Sequence, residues 1–186
     1  MQPHSPQPAI QPSITAVYPM APLIRFTLIS LYLALVLPLP WLAPVELRPA
    51  LWVALPLGLL LIVALVSEQV ELSATGLRVG HPRWCAWLLR RGWQLAWEQV
   101  KGLTPVATSQ GGRVYYVRSQ GGSAFLLPQR VQAFDQFLAR FSQATGLDTS
   151  AIGRISPAWT YQVLAGLCAL MLAGELLGGL WLLGAS

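Results

Sequence analysis

Charged side chains are scarce in this chain. They make up 10% of its 186 residues, against about a quarter in ordinary soluble proteins. The shortage is uneven and gathers in three long stretches with almost no charge, which is how membrane spans appear in a sequence. Cysteine is equally sparse. Cys85 lies in the polar middle of the chain and Cys168 in its last apolar stretch, so neither a disulfide framework nor a bond between the two is expected. Histidine is limited to His4 and His81, so neither a catalytic triad nor a metal cluster assembles. There is no G-x-S-x-G and no phosphate loop ending in Lys-Ser or Lys-Thr. Glu71, Glu98 and Asp135 are scattered without the spacing of a carboxylate pair. Cys85, beside Trp84 and among arginines, reads as a small half-buried residue rather than a reactive thiol. Together these absences argue against an enzyme and give no reason to expect a metal or cofactor.

The first apolar stretch runs from about Leu23 to Trp41, with Arg25 as its only charge and Pro38 and Pro40 bending or ending it near the far interface. The second runs from about Ala50 to Val66 and is uncharged. A short link carrying Glu46 and Arg48 joins them, so the pair reads as a helical hairpin. The third runs from about Trp159 to Leu183 with one charge, Glu175. Buried core helices normally keep a polar face, and these stretches have almost none. A cleaved signal is not expected either, because the residues before the first span are rich in Pro and Gln and lack a basic start.

Ten of the twelve basic residues lie between the second and third spans. The hairpin link has only Arg48, and the C-terminal tail has none. The positive-inside rule therefore puts the middle of the chain and its N-terminus in the cytoplasm, and the C-terminus on the opposite side. The expected organisation is a disordered tail over 1–21, a two-helix transmembrane hairpin over 22–67, a cytoplasmic β domain over 68–157, and a third transmembrane helix over 158–186.

Within the middle domain the pattern changes to alternation. Gln69–Ser73 and Gly76–Gly80 look like a strand pair, and Trp93, Leu95 and Trp97 alternate with polar or small residues as in a half-buried strand. Gly102–Thr108, Arg113–Arg118 and Ser123–Leu127 complete a set of about six short strands, with Gly-Gly pairs marking tight connections. After Pro128 the period becomes helical, with Val131, Phe134, Phe137, Leu138 and Phe141 on one face and Gly146 placed to stop the helix. The segments VELSATGLRV, WQLAWEQVKGL and FLLPQRVQAFDQFLARF, in this order, resemble the bacterial pleckstrin-homology-like domains of membrane-flanked proteins over about residues 68–146. The resemblance implies a curved antiparallel sheet capped by a C-terminal amphipathic helix, in a non-enzymatic, membrane-anchored module.

Two groups of residues stand out as candidate sites. In HPRWCAWLLRRGW, Trp84 and Trp87 are interleaved with Arg83, Arg90 and Arg91. Indole rings favour the headgroup level, and each basic residue near an anionic surface contributes about 1 kcal/mol. The segment either lies on the cytoplasmic leaflet or packs its tryptophans into the core with the arginines as a solvated rim. Arg78 and Lys101 join this set as candidate contacts for lipid headgroups, in a domain whose ten basic and five acidic residues give it a net charge of +5. Nucleic acid is not an expected partner, since no recognition module accompanies the charge.

In the third span, Gly174 and Gly178 form a G-x-x-x-G pair beside Glu175. They either pack on the protein's own hairpin or offer a face to a membrane-protein partner or a second copy. Glu175, costly inside a span, is expected to face another helix, a partner, or water and Arg48 near the outer interface. The functional expectation is a scaffold or assembly factor that binds a protein partner at the membrane. Recognition of an anionic lipid is the first alternative, and an accessory subunit of a transporter the second.

Overall fold

The computed structural model describes residues 14–89, 92–109, 111–153 and 158–184. Among the described residues, three helical segments are long and apolar enough to cross a membrane: Pro22–Leu42, Arg48–Leu65 and Trp159–Trp181. The first comprises α1 (Pro22–Val36) and the short α2 (Leu39–Leu42). Its break falls where Pro38 and Pro40 remove two backbone donors. The second is α3 (Arg48–Leu65), which accommodates Pro56 in its interior.

The chain enters the fold through a strand where a disordered tail was expected. β1 (Ile14–Pro19) pairs antiparallel with β2 (Gln69–Ser73), in the register Tyr18↔Val70 and Pro19↔Gln69. The tail boundary at residue 21 is therefore corrected, and residues 1–13 lie outside the described residues. Burial is the reason for the strand: Tyr18 is only 6% exposed and meets Phe137 edge to face at 5.6 Å. Sequence reasoning missed β1 because its partner strand follows only after the whole helical hairpin.

β3 (Gly76–Gly80) and β4 (Trp93–Ala96) extend the first sheet in the order β1-β2-β3-β4. β5 (Val100–Ala107), β6 (Arg113–Ser119) and β7 (Ala124–Leu126) form a second antiparallel sheet. Among the described residues, seven strands in sheets of four and three thus replace the expected six. Trp97, expected to continue β4, lies instead in a single 3-10 turn, Trp97–Gln99, and its indole N–H donates to the Ser73 carbonyl at 3.0 Å. That turn lets the chain leave one sheet and start the other.

α4 (Phe134–Thr145) closes the domain. Its Phe134, Phe137 and Phe141 are fully buried against Val70, Leu77, Val117 and Leu127. Gly146 ends the helix in the left-handed conformation, φ 73°, as its position predicts. Val131, expected on the helix face, instead precedes the helix and bridges to Met20. α5 (Ala158–Gly184) then packs along α1.

Candidate functional site

The junction between helices and sheet fixes everything else. Ala21, the residue just before α1, donates its N–H to the Arg130 carbonyl at 2.8 Å, and Gln132 donates to the Pro19 carbonyl at 2.7 Å. On the other side of the hairpin, α3 ends at Leu65 and β2 begins at Gln69. The strands on either side of the helical pair are therefore hydrogen-bonded to each other, and neither connection is long enough to act as a free tether.

Register then identifies which end of the sheet faces the helices. Pro19 pairs with Gln69, Gln69 with Gly80, and Val79 with Trp93. The connection from His81 to Gly92 leaves and re-enters the sheet at this helix-bearing end. Its described part is a compact turn, with Cys85 and Ala86 N–H both donating to the Pro82 carbonyl and Leu88 and Leu89 N–H to that of Cys85. Cys85 is the residue tucked inside, 2% exposed, while Trp84 is 48% and Trp87 80% exposed. The core alternative for the two tryptophans is thus corrected. One small side chain anchors the turn and leaves both rings outside, with Arg83 exposed between Pro82 and Trp84.

The other residues of this group separate. Arg78 stands on the outer face of β3, paired at 3.2 Å with Glu71 on the neighbouring strand. It lines, with Gly80, His81, Ala86, Gly92, Trp93 and Gln94, a cavity of about 240 Å³ next to the loop. The Nδ1 atom of His81 is buried without a partner among the described residues. Lys101 is exposed at the bulge that starts β5, reached only after β4 has run to the opposite end of the sheet, where Ala96 faces Gly76. It is not part of the loop's surroundings. Arg90 and Arg91 lie outside the described residues.

The second group behaves differently from its sequence neighbours. α5 packs against α1, and Tyr161, Cys168 and Glu175, seven residues apart along α5, are all at least partly buried. Thr27 donates to the Leu23 carbonyl at 2.7 Å and also reaches the Tyr161 carbonyl at 3.4 Å, an offset of 134 residues. Ala34 of α1 and Cys168 of α5 are each 1% exposed. Gly174 and Gly178 are exposed, and a Cβ added to either would meet nothing within 4 Å. They do not pack on the hairpin. Glu175 does not meet Arg48, whose Nε donates to the Ala43 carbonyl at 3.2 Å. One carboxylate oxygen of Glu175 is buried without a partner among the described residues.

No protein-family model matches the chain, and no solved structure matches it. A protein of Synechocystis sp., named as uncharacterized protein slr0269, is 41% identical over 166 residues, covering 86% of this chain and 83% of that one. The chain belongs to its family. An alignment of that length cannot be confined to the β domain and takes in apolar helical segments of this chain as well. The family is bacterial in this relative, and the name carries no activity to transfer.

Proposed function

We propose that the chain is a three-span bacterial membrane protein and a non-enzymatic scaffold. Its basic, pleckstrin-like domain stands at the cytoplasmic face with the N-terminus and binds a protein partner within a membrane complex. The observation that carries this reading is the insertion of the helical hairpin between two hydrogen-bonded strands, Tyr18↔Val70 and Pro19↔Gln69. A domain joined in this way cannot swing on a linker. It offers its surface at one height and angle above the bilayer, which is what positioning a partner requires. Sheets of four and three strands, with an apolar interior covered by α4, support the pleckstrin-like part of the reading.

Gentle detergent extraction of a C-terminally tagged full-length chain, combined with photo-crosslinking from surface positions of β5 and β6, tests the proposal. A stoichiometric membrane protein whose crosslinks map to the domain is the expected result. A chain that purifies alone as a monomer or dimer, with no crosslinked protein from either strand, would remove the scaffold reading.

The second reading, recognition of an anionic lipid, is favoured by the cavity lined by Arg78, His81 and Gln94 at the helix-bearing end of the sheet. Anionic lipid that stays bound through purification, and is lost on Arg78→Gln, would shift the weight to that reading.

A further inference from the structure

We infer that the loop bearing Trp84, Trp87 and Leu88 is a second membrane contact, inserted in cis into the headgroup layer of the bilayer that the chain's own helices span. The inference rests on the membrane-spanning part of the proposed function and extends it to a surface that the spans alone do not require.

Position is the first argument. Gly80 pairs with Gln69, which is four residues beyond the end of α3, and Gln69 also pairs with Pro19, three residues before α1. At about 3.3 Å per residue the two helix ends lie at most about 13 Å and about 10 Å along the chain from that paired row. The loop extends from this row on the side of the sheet where the helices are attached. An interfacial segment buries its apolar face by about 5–10 Å at the headgroup–acyl boundary, a depth within this loop's reach.

Chemistry is the second argument. Trp84, Trp87 and Leu88 are 48%, 80% and 48% exposed, so the turn displays its large apolar side chains outward. The indole N–H of Trp87 donates to the Trp84 carbonyl at 2.9 Å. The ring's single donor is satisfied inside the loop, and the whole ring can leave water without stranding a polar group. Arg83, exposed alongside, is placed to meet lipid phosphates while the rings go deeper. Cys85, buried with its thiol directed at the Pro82 carbonyl at 3.6 Å, holds the turn in the shape that keeps the rings out. A bilayer surface fits this combination of apolar tip, satisfied donor and cationic flank.

Depth measurement on the full chain in lipid vesicles tests the inference. In a Cys168→Ser background, with the buried Cys85 kept and that variant alone as the labelling control, single labels are attached through Trp87→Cys, through Ala74→Cys at the opposite end of the β2–β3 hairpin, and through Leu170→Cys in the middle of α5. Quenching by a spin-labelled phospholipid is expected to be several-fold stronger at 87 than at 74, with iodide access reversed. Lipid contact at 170 but water exposure at 87 overturns the anchor and leaves the spanning reading intact. A label at 87 that neither quencher reaches points to a protein contact and also overturns it. No lipid contact at 170 overturns the spanning reading, and the anchor with it.

Discussion

Tyr32 and Gly58 hold the helical hairpin together: the Tyr32 ring lies on the glycine, and its hydroxyl donates to the Leu55 carbonyl of α3 at 2.7 Å. A Cβ at position 58 would collide with the Tyr32 hydroxyl and stand 3.0 Å from its Cζ. Small residues admit this kind of close approach where apolar burial cannot drive helices together. Gly58→Ala is expected to lower the melting temperature of the detergent-solubilised protein, by an amount matching the roughly 1–3 kcal/mol of an overpacked contact. Tyr32→Phe removes only the hydrogen bond, worth about 0.6 and at most about 1.7 kcal/mol between helices that span a membrane, as proposed for this pair. A double-mutant cycle should show coupling between the two positions, and strict additivity would refute the contact.

Phe137 is the centre of the β domain. It is fully buried and touches the rings of Tyr18, Phe134 and Phe141. Phe137→Ala is expected to destabilise the domain by about 3–5 kcal/mol, the range for deleting a buried aromatic side chain. Because Tyr18 belongs to β1, the same variant should expose residues 14–19 to proteolysis. Protection of that strand in a destabilised variant would contradict the shared core.

Gly92 has a backbone reason to be glycine. A Cβ there would lie 2.7 Å from Gly80 Cα and press on the Val79 carbonyl oxygen. Both obstacles are main chain and cannot rotate away, so Gly92→Ala is expected to cost about 1–3 kcal/mol and to displace the tryptophan loop. Gly102 in β5 has nothing within 4 Å of an added Cβ. Gly102→Ala should therefore be neutral or stabilising by up to about 1 kcal/mol. Equal effects of the two substitutions on thermal unfolding would argue against the close approach of β3 and the loop.

Asp148 gives the segment after α4 a weak acid sensitivity. The Ser150 backbone N–H, donating to its carboxylate at 2.8 Å, lowers its pKa below the ordinary 3.8. A folded-state pKa below the unfolded one means that the carboxylate form supports the turn above pH 3.8. That support is lost as pH falls through the lowered folded value. The carboxylate is fully exposed, so the effect is local. The protection factor of the Ser150 amide, corrected for the intrinsic pH dependence of exchange, should fall in acid in the native chain and be insensitive to this titration in Asp148→Ala. Identical acid profiles would refute the role of the carboxylate.

Local periodicity made much of the architecture legible. Continuous apolar runs locate the three long helices, and the structure places the helix ends within a few residues of the expected ones. Alternation in the segments around Leu95 and Tyr115 is the alternation of buried and exposed faces in β4 and β6. The phenylalanine spacing in α4 and the stop at Gly146 follow from helical geometry alone. The candidate residues were only partly legible, because charge and aromaticity announce a segment but not its surroundings. Arg83, Trp84 and Lys101 have similar credentials in the sequence. Only strand direction shows that Lys101 sits at the other end of the sheet.

What the sequence determined by itself is therefore what depends on neighbours a few positions away: apolar length, strand alternation, the helix stop and the uneven charge. Tertiary structure alone decided that Ile14–Pro19 is a strand, since its partner Gln69–Ser73 lies beyond an entire helical hairpin. It decided that Cys85 rather than Trp84 or Trp87 is buried in the loop, and that Gly174 and Gly178 turn away from the hairpin. In each case the deciding energy is a non-local contact, a hydrogen-bonded partner or a packed face supplied by distant residues, and no short window of sequence contains both members of such a pair.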